Sequence, residues 1–284
     1  MARRWYVPLL AFPAAIGTVV AVLVGVASAS PGLTQPAART AAVQRFFPGG
    51  PMISPSGGAV PGLRNATVNP TAQSINWAGY AVTGRNGTFH SVSASWTEPR
   101  ANCTGVSGRT LSSFWVGLDG ANSGSVEQLG TDADCQGGTP HYFAWWEMFP
   151  LPSVNLRSPV RPGDHLSASV TFRGVGKGFA LFIKDSTRHW SRTIVKLHAE
   201  ARSSAEVITE APALLIGGQI VIQNLTNFGA VRWTGSRVNG IPLKNIGRRI
   251  RITMVEVNPP HLTRATTSLI GAADAFTNRW VRSS

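Results

Sequence analysis

Acidic side chains and tryptophans concentrate where chemistry could occur. Glu98, Asp119, Glu127, Asp132, Asp134 and Glu147 fall between residues 98 and 147 against only Arg100 and Arg109, with Gln128 among them. Glu206 and Glu210 add two carboxylates four residues apart. A carboxylate can still move protons in acid, where a histidine is already protonated, and a carboxamide N–H can meet developing negative charge. These residue types point to hydrolysis, or to a ligand that stacks on rings and hydrogen-bonds. Other chemistries lack their local signals. No HExxH occurs, the six histidines lack metal-ligand spacing, and no metal or cofactor is expected. Gly174-Val175-Gly176-Lys177-Gly178 is too short for a dinucleotide fingerprint, and no GxSxG elbow is present.

The elements that must position these groups read as strands. The chain is 284 residues long, 43% hydrophobic and only 14% charged, with 30 Gly and 19 Pro, which suits short strands and turns better than solvated helices. From residue 75 onward period-two segments recur. Leu166, Ala168, Val170 and Phe172 alternate with polar neighbours, and Phe179, Leu181 and Ile183 repeat the pattern. The expected fold is all-β: a two-sheet antiparallel β-sandwich of jelly-roll or concanavalin-like type with one concave face. Because side chains alternate across a strand, Trp115, Gly117 and Asp119 oppose Phe114, Val116 and Leu118. Likewise Trp145, Glu147 and Phe149 oppose Ala144, Trp146 and Met148, with Trp146 expected in the core. Gln128 shares a face with Asp132, as Glu206 does with Ile208 and Glu210. A row of carboxylates and aromatics on one sheet face reads as a substrate groove.

The remaining sequence speaks to compartment and partners. Arg3 and Arg4, an uncharged run over residues 7–27 and Ala27-Ser28-Ala29 form an export signal, so residues 1–29 are expected to be a signal peptide and the protein to be secreted. Only that segment would touch a membrane. Residues 30–72 are Pro-rich, carry Arg39, Arg45 and Arg64 and no acid, and read as a flexible linker or as a basic propeptide lying across an acidic cleft. Asn65-Ala66-Thr67 is a glycosylation sequon. Residues 73–284 form the domain. Net charge is +13, of which the five arginines before residue 73 account for +5. Aromatics cluster with carboxylates and not with the basic residues, which argues against nucleic acid. Cys103 and Cys135, the only cysteines, are expected to form one disulfide. A monomer is expected, with the 30–72 segment as its own inhibitor.

At these residues the sequence resembles the glutamic peptidases, or eqolisins. The resemblance rests on Asn76-Trp77-Ala78-Gly79-Tyr80, Trp96 with Pro99, Phe114-Trp115-Val116-Gly117-Leu118-Asp119-Gly120, and Glu127-Gln128-Leu129-Gly130-Thr131-Asp132. It continues in Ala144-Trp145-Trp146-Glu147-Met148-Phe149-Pro150 and Ser204-Ala205-Glu206-Val207-Ile208. It implies a sandwich of two antiparallel sheets and an acid endopeptidase, acting on polypeptides, that uses an activated water without a covalent intermediate. The catalytic Gln and Glu fall by resemblance on Gln128 and Glu206. Trp77, Trp115, Asp119, Asp132, Trp145, Glu147 and Phe149 would line the cleft. Val207 stands where the family has Trp, which leaves Glu210 as the alternative carboxylate. Two other readings remain open. One is a secreted carbohydrate-binding module; the other is a glycosidase working through Glu147 and Glu206.

Overall fold

Alternating side chains on Gly- and Pro-punctuated strands leave each strand with two distinct faces, and two sheets close over the more apolar one. The structure, a computed structural model, describes residues 45–56, 69–198, 201–216 and 219–284. The expected signal peptide, most of the 30–72 segment and the sequon at Asn65 lie outside the described residues. The described residues fall within one compact unit. Among the described residues no helix is long and apolar enough to cross a membrane.

One sheet runs, strand by paired strand, through Arg249–Val255, Trp77–Thr83, Ser204–Glu210, Ser113–Leu118, Val126–Gln136, Thr139–Phe149 and Val154–Leu156. The second runs through Trp190–Lys196, Phe179–Asp185, His165–Phe172, Ser91–Thr97, Ala230–Val238, Phe276–Trp280 and Thr263–Thr267. All these pairings are antiparallel, and Thr263–Thr267 also pairs with Arg249–Val255 and links the two sheets. The strand Thr71–Ser74 adds a parallel pairing to Arg249–Val255, so this sheet takes in residues just ahead of residue 73. The all-β sandwich expected from the period-two segments is the fold observed.

The main core lies between the sheets. Phe114, Val116, Leu118, Leu129, Ala144 and Met148 from the first sheet meet Val92, Trp96, Val170, Leu181, Trp233 and Phe276 from the second. The opposite face of the first sheet carries a smaller apolar cluster with Trp77, Trp115, Trp145, Ile208, Ile250 and Ile252. Trp145 is wholly buried there, whereas Trp146 packs on the main core and stays partly exposed. The expected core position of Trp146 therefore holds, but the better-buried ring of the pair is its neighbour.

Cys103 and Cys135 are bonded to each other across a sequence separation of 32. Replacing both by alanine is expected to lower stability by about 3–4 kcal/mol on loop-closure entropy. A fall in the urea midpoint without a change in slope is the result that checks it.

Candidate active site

The central strands of the first sheet bury both faces, because something lies over the outer one. Residues 48–54 run across it and are tied down by main-chain and side-chain bonds. Met52 N–H donates to the Gly120 carbonyl at 3.0 Å. Ile53 N–H donates to Asn76 Oδ1 at 3.0 Å, and Asn76 Nδ2 to the Pro51 carbonyl at 3.0 Å. Asn76 and Trp77 open the strand Trp77–Thr83 at the edge where this segment crosses.

Beneath it, three acidic or amide side chains converge on one peptide group. Gln128 Nε2 donates to the Gly49 carbonyl oxygen at 2.7 Å and to Glu147 Oε2 at 2.9 Å. Gly50 N–H donates to Glu210 Oε1 at 3.2 Å. The Gly49 oxygen and the Gly50 nitrogen belong to the same amide, so Gln128 and Glu210 hold its two polar atoms. The Gln128 amide is oriented by its neighbours, since only the N–H end can satisfy both a carbonyl and a carboxylate. Glu210 also accepts from Asn76 Nδ2 at 3.0 Å and, on Oε2, from the Trp115 indole at 2.9 Å. Gly130 stands opposite Trp115 across the strand pair. A Cβ on that glycine would stand 2.1 Å from the Phe114 carbonyl oxygen and 2.6 Å from Trp115 Cβ. Gly130→Ala is therefore expected to cost about 1–3 kcal/mol through overpacking and to tilt the indole off Glu210. Urea unfolding and the Trp115 indole resonance read the two effects.

Burial sets the electrostatics. It pushes the carboxyl of Glu210 well above its ordinary range, and the donors from Gly50, Asn76, Trp115 and Trp77 pull the other way. Glu147 is raised by burial and by the nearby charge of Glu210, with Gly49 and Gln128 opposing. Two buried carboxyls side by side favour one of them holding a proton.

The other residues expected at the groove divide into two groups. Trp77 donates its indole N–H to the Gly50 carbonyl at 3.0 Å and meets Trp115 edge-on at 5.1 Å. Trp145 donates to Asp132 Oδ1 at 2.6 Å, and Ser113 Oγ donates to the same oxygen at 2.5 Å. Asp132 thus fixes Trp145 from below. Phe149 packs half-buried against the same apolar cluster. Asp119 departs from expectation. Its two oxygens accept the N–H groups of Ala201, Arg202 and Ser203 and the Ser203 hydroxyl, so it pins the loop leading into the strand Ser204–Glu210. Its φ of 69° turns the chain out of its strand, which breaks the alternation that put it in the groove.

Glu206 stands in a cross-strand row with Gly117, Gln128 and Glu147. Two strand spacings, about 10 Å, separate it from Gln128, and Gly117 between them brings no side chain. Glu206 is wholly buried, with the Ser204 hydroxyl and the Ala121 N–H as the donors nearest its carboxyl. Burial raises its pKa, and Asp119 and Glu127 add to that. The structure thus brings Glu210, and not Glu206, to the amide that Gln128 holds. Sequence reasoning also missed Asn76 as the partner of Glu210, and the pairing of His198 Nδ1 with Glu127 Oε1 at 2.7 Å. Asn76 was visible as the residue before Trp77; His198 carried no signal. Among the described residues no group of three or more His, Cys, Asp or Glu is placed to hold a metal ion.

The groove face of the sandwich thus sets a carboxamide and a carboxylate on the two polar atoms of one peptide group. Residues 75–271 match the model of the Peptidase A4 family, and the chain belongs to that family, the glutamic peptidases or eqolisins; it is a peptidase. Among solved structures the chain is similar to scytalido-glutamic peptidase with a peptide-based transition state analog, at 22% identity and a TM-score of 0.61, covering 73% of this chain and 98% of that one. It is also similar to SCP-B, a member of the eqolisin family in complex with the tripeptide Ala-Ile-His, at 21% identity and a TM-score of 0.57, with the same coverage. At these identities the likeness speaks to the fold. A search of curated protein sequences found no significant match.

Proposed function

We propose that the protein is an exported, acid-acting glutamic endopeptidase whose working pair is Gln128 and Glu210. The observation that carries this reading is the single amide held by both side chains, its oxygen on Gln128 and its nitrogen on Glu210. In the reaction a water enters beside a substrate amide, and the ionised fraction of Glu210 takes its proton while the oxygen attacks the carbonyl carbon. The C–O bond forms, and the oxyanion is met by the Gln128 N–H. The C–N bond then breaks as Glu210 returns the proton to the leaving nitrogen, giving a carboxylic acid and an amine. Glu147 holds the amide of Gln128 in its donating orientation. Trp115 and Asn76 aim the carboxylate of Glu210. Acid action is supported by a site built from carboxyl and amide groups alone, and export by the signal-like N-terminus.

The experiment is cleavage of an unfolded protein by the full chain across pH 2–7. Gln128→Ala is expected to lower kcat by about 100- to 1,000-fold, the usual effect of removing one oxyanion donor. Undiminished cleavage by that variant would reject the pair.

A further inference from the structure

We propose that the outer face of the second sheet is a docking surface for a polymer of polyol or sugar units joined by phosphodiesters. The first observation is where the chain keeps its charges. Of its 13 Asp and Glu residues, 11 are buried. Of the other two, Glu256 is half-buried and paired with Arg282 at 3.5 Å, and Glu200 lies outside the described residues. Among the described Lys and Arg, by contrast, only Arg264 is buried. The exterior therefore presents cations with almost no carboxylate to neutralise them, and a polyanion is drawn most strongly to where they flank a binding surface.

The second observation is such a surface. Along Ser91–Thr97 and His165–Phe172 every outward position is Ser, Thr or His, because the alternate positions fill the core. Register sets Lys184, Ser167, Ser95 and Thr234 in one row across four strands. Lys184 bounds the hydroxyl-rich strands on one side, and Arg232, Arg237 and Arg279 bound them on the other, all exposed. Between Lys184 and Arg232 the face dips into a depression of about 390 Å³, lined also by His165, Ser95, Ser167 and Thr234. Neither cation is paired with a carboxylate among the described residues. Three strand spacings, about 14 Å, separate their strands, so one extended chain lays separate phosphates on the two. Arg takes a phosphate through a planar fork and Lys as a point charge, while serine hydroxyls both donate to and accept from polyol or sugar hydroxyls. A single-stranded nucleic acid would instead need exposed rings for its bases. The depression offers only the His165 imidazole, since Trp96 is buried beneath it. A carboxylate polymer loses its charge in acid, whereas a phosphodiester and both cations keep theirs. The peptide groove lies on the far sheet, so a docked chain turns it away from the polymer.

The test titrates fluorescently labelled poly(glycerol phosphate) with the full chain and follows anisotropy between about 50 and 200 mM salt. Lys184→Gln combined with Arg232→Gln is expected to weaken binding about tenfold and to lower the salt slope by about 2. Arg85→Gln combined with Arg157→Gln removes the same charge from turns beside the first sheet. That control is expected to leave affinity within about twofold of the parent. All four side chains are exposed, so neither pair of substitutions changes the urea midpoint. Equal weakening by the two pairs would overturn the proposal, because binding would then follow net charge and not the face. No binding by the parent chain at about 50 mM salt would overturn it too. So would poly(galacturonate) or single-stranded DNA held as tightly as the glycerol polymer, since either result removes the selectivity for a polyol or sugar phosphodiester.

Discussion

Glu210→Gln is expected to fold like the parent and to lose peptide hydrolysis by about 1,000-fold or more, since it removes a general base whose typical contribution is about 100- to 10,000-fold. The substitution keeps the shape of the side chain and an acceptor oxygen for the Trp115 indole, which the parent holds at 2.9 Å. Stability therefore changes far less than rate. Glu206→Gln is the informative counterpart. It neutralises a carboxyl that does not reach the amide held by Gln128 and that sits near Asp119 and Glu127, so hydrolysis is expected to stay within about threefold of the parent while stability near neutral pH rises. Steady-state kinetics on both variants, with circular dichroism to check the fold, separates the two carboxylates. The reverse ranking would restore Glu206 to the catalytic pair.

The second large effect is on stability against pH. Burial pushes Glu98 up to about 8 from an ordinary 4.5, although the Thr131 hydroxyl and the Trp96 indole stabilise its charged form. Burial also takes Asp134 to about 8 from 3.8, and raises Asp132, Glu147, Glu206 and Glu210. A carboxyl whose folded pKa exceeds its unfolded one binds its proton more tightly in the fold. Its contribution is complete below the unfolded value and is lost as pH rises through the folded one. For Glu98 that window runs from near 4.5 to about 8, and the loss across it is at most about 5 kcal/mol. The fold is expected to be most stable near pH 3–4 and to lose several kcal/mol by pH 8, with Glu98→Gln flattening the curve. Urea midpoints at one-unit pH intervals measure it. A midpoint that rises from pH 4 to pH 8 would contradict the burial argument.

Much of this was legible in the residues. Period-two alternation is a direct imprint of a pleated strand with two unlike faces, so the sandwich and the grouping of Trp115, Gln128, Trp145 and Glu147 on one face followed from spacing alone. Alternation also has a limit, and the two carboxylates of the strand Ser204–Glu210 expose it. Glu206 and Glu210 point the same way, and only their surroundings differ. Gly117, which brings no side chain, lies beside the first, whereas Asn76 and Trp115 reach the second from elsewhere in the sheet. Asp119 was misplaced because the pattern was extended one residue past the strand's end, where a positive φ turns the chain away. For the segment over the groove, the sequence suggested only that some part of residues 30–72 could lie across an acidic cleft, and which residues meet the site was illegible for a third reason. Pro48, Gly49, Gly50 and Pro51 carry no periodicity, and their binding is through backbone atoms that every sequence has.

The measurement closest to the heart of the account is a crystal structure of the Gly49→Val chain, in which a Cβ that would stand 2.2 Å from Gln128 Oε1 displaces residue 49 from the site, with a peptide whose scissile amide is replaced by a tetrahedral phosphinate. The account predicts one phosphinate oxygen within about 3 Å of Gln128 Nε2 and the other within about 3 Å of a Glu210 oxygen, each at charge-assisted hydrogen-bond distance, with the side chain of Glu206 out of contact. A phosphinate seated against Glu206, with Glu210 still bound only to Asn76 and Trp115, would contradict it.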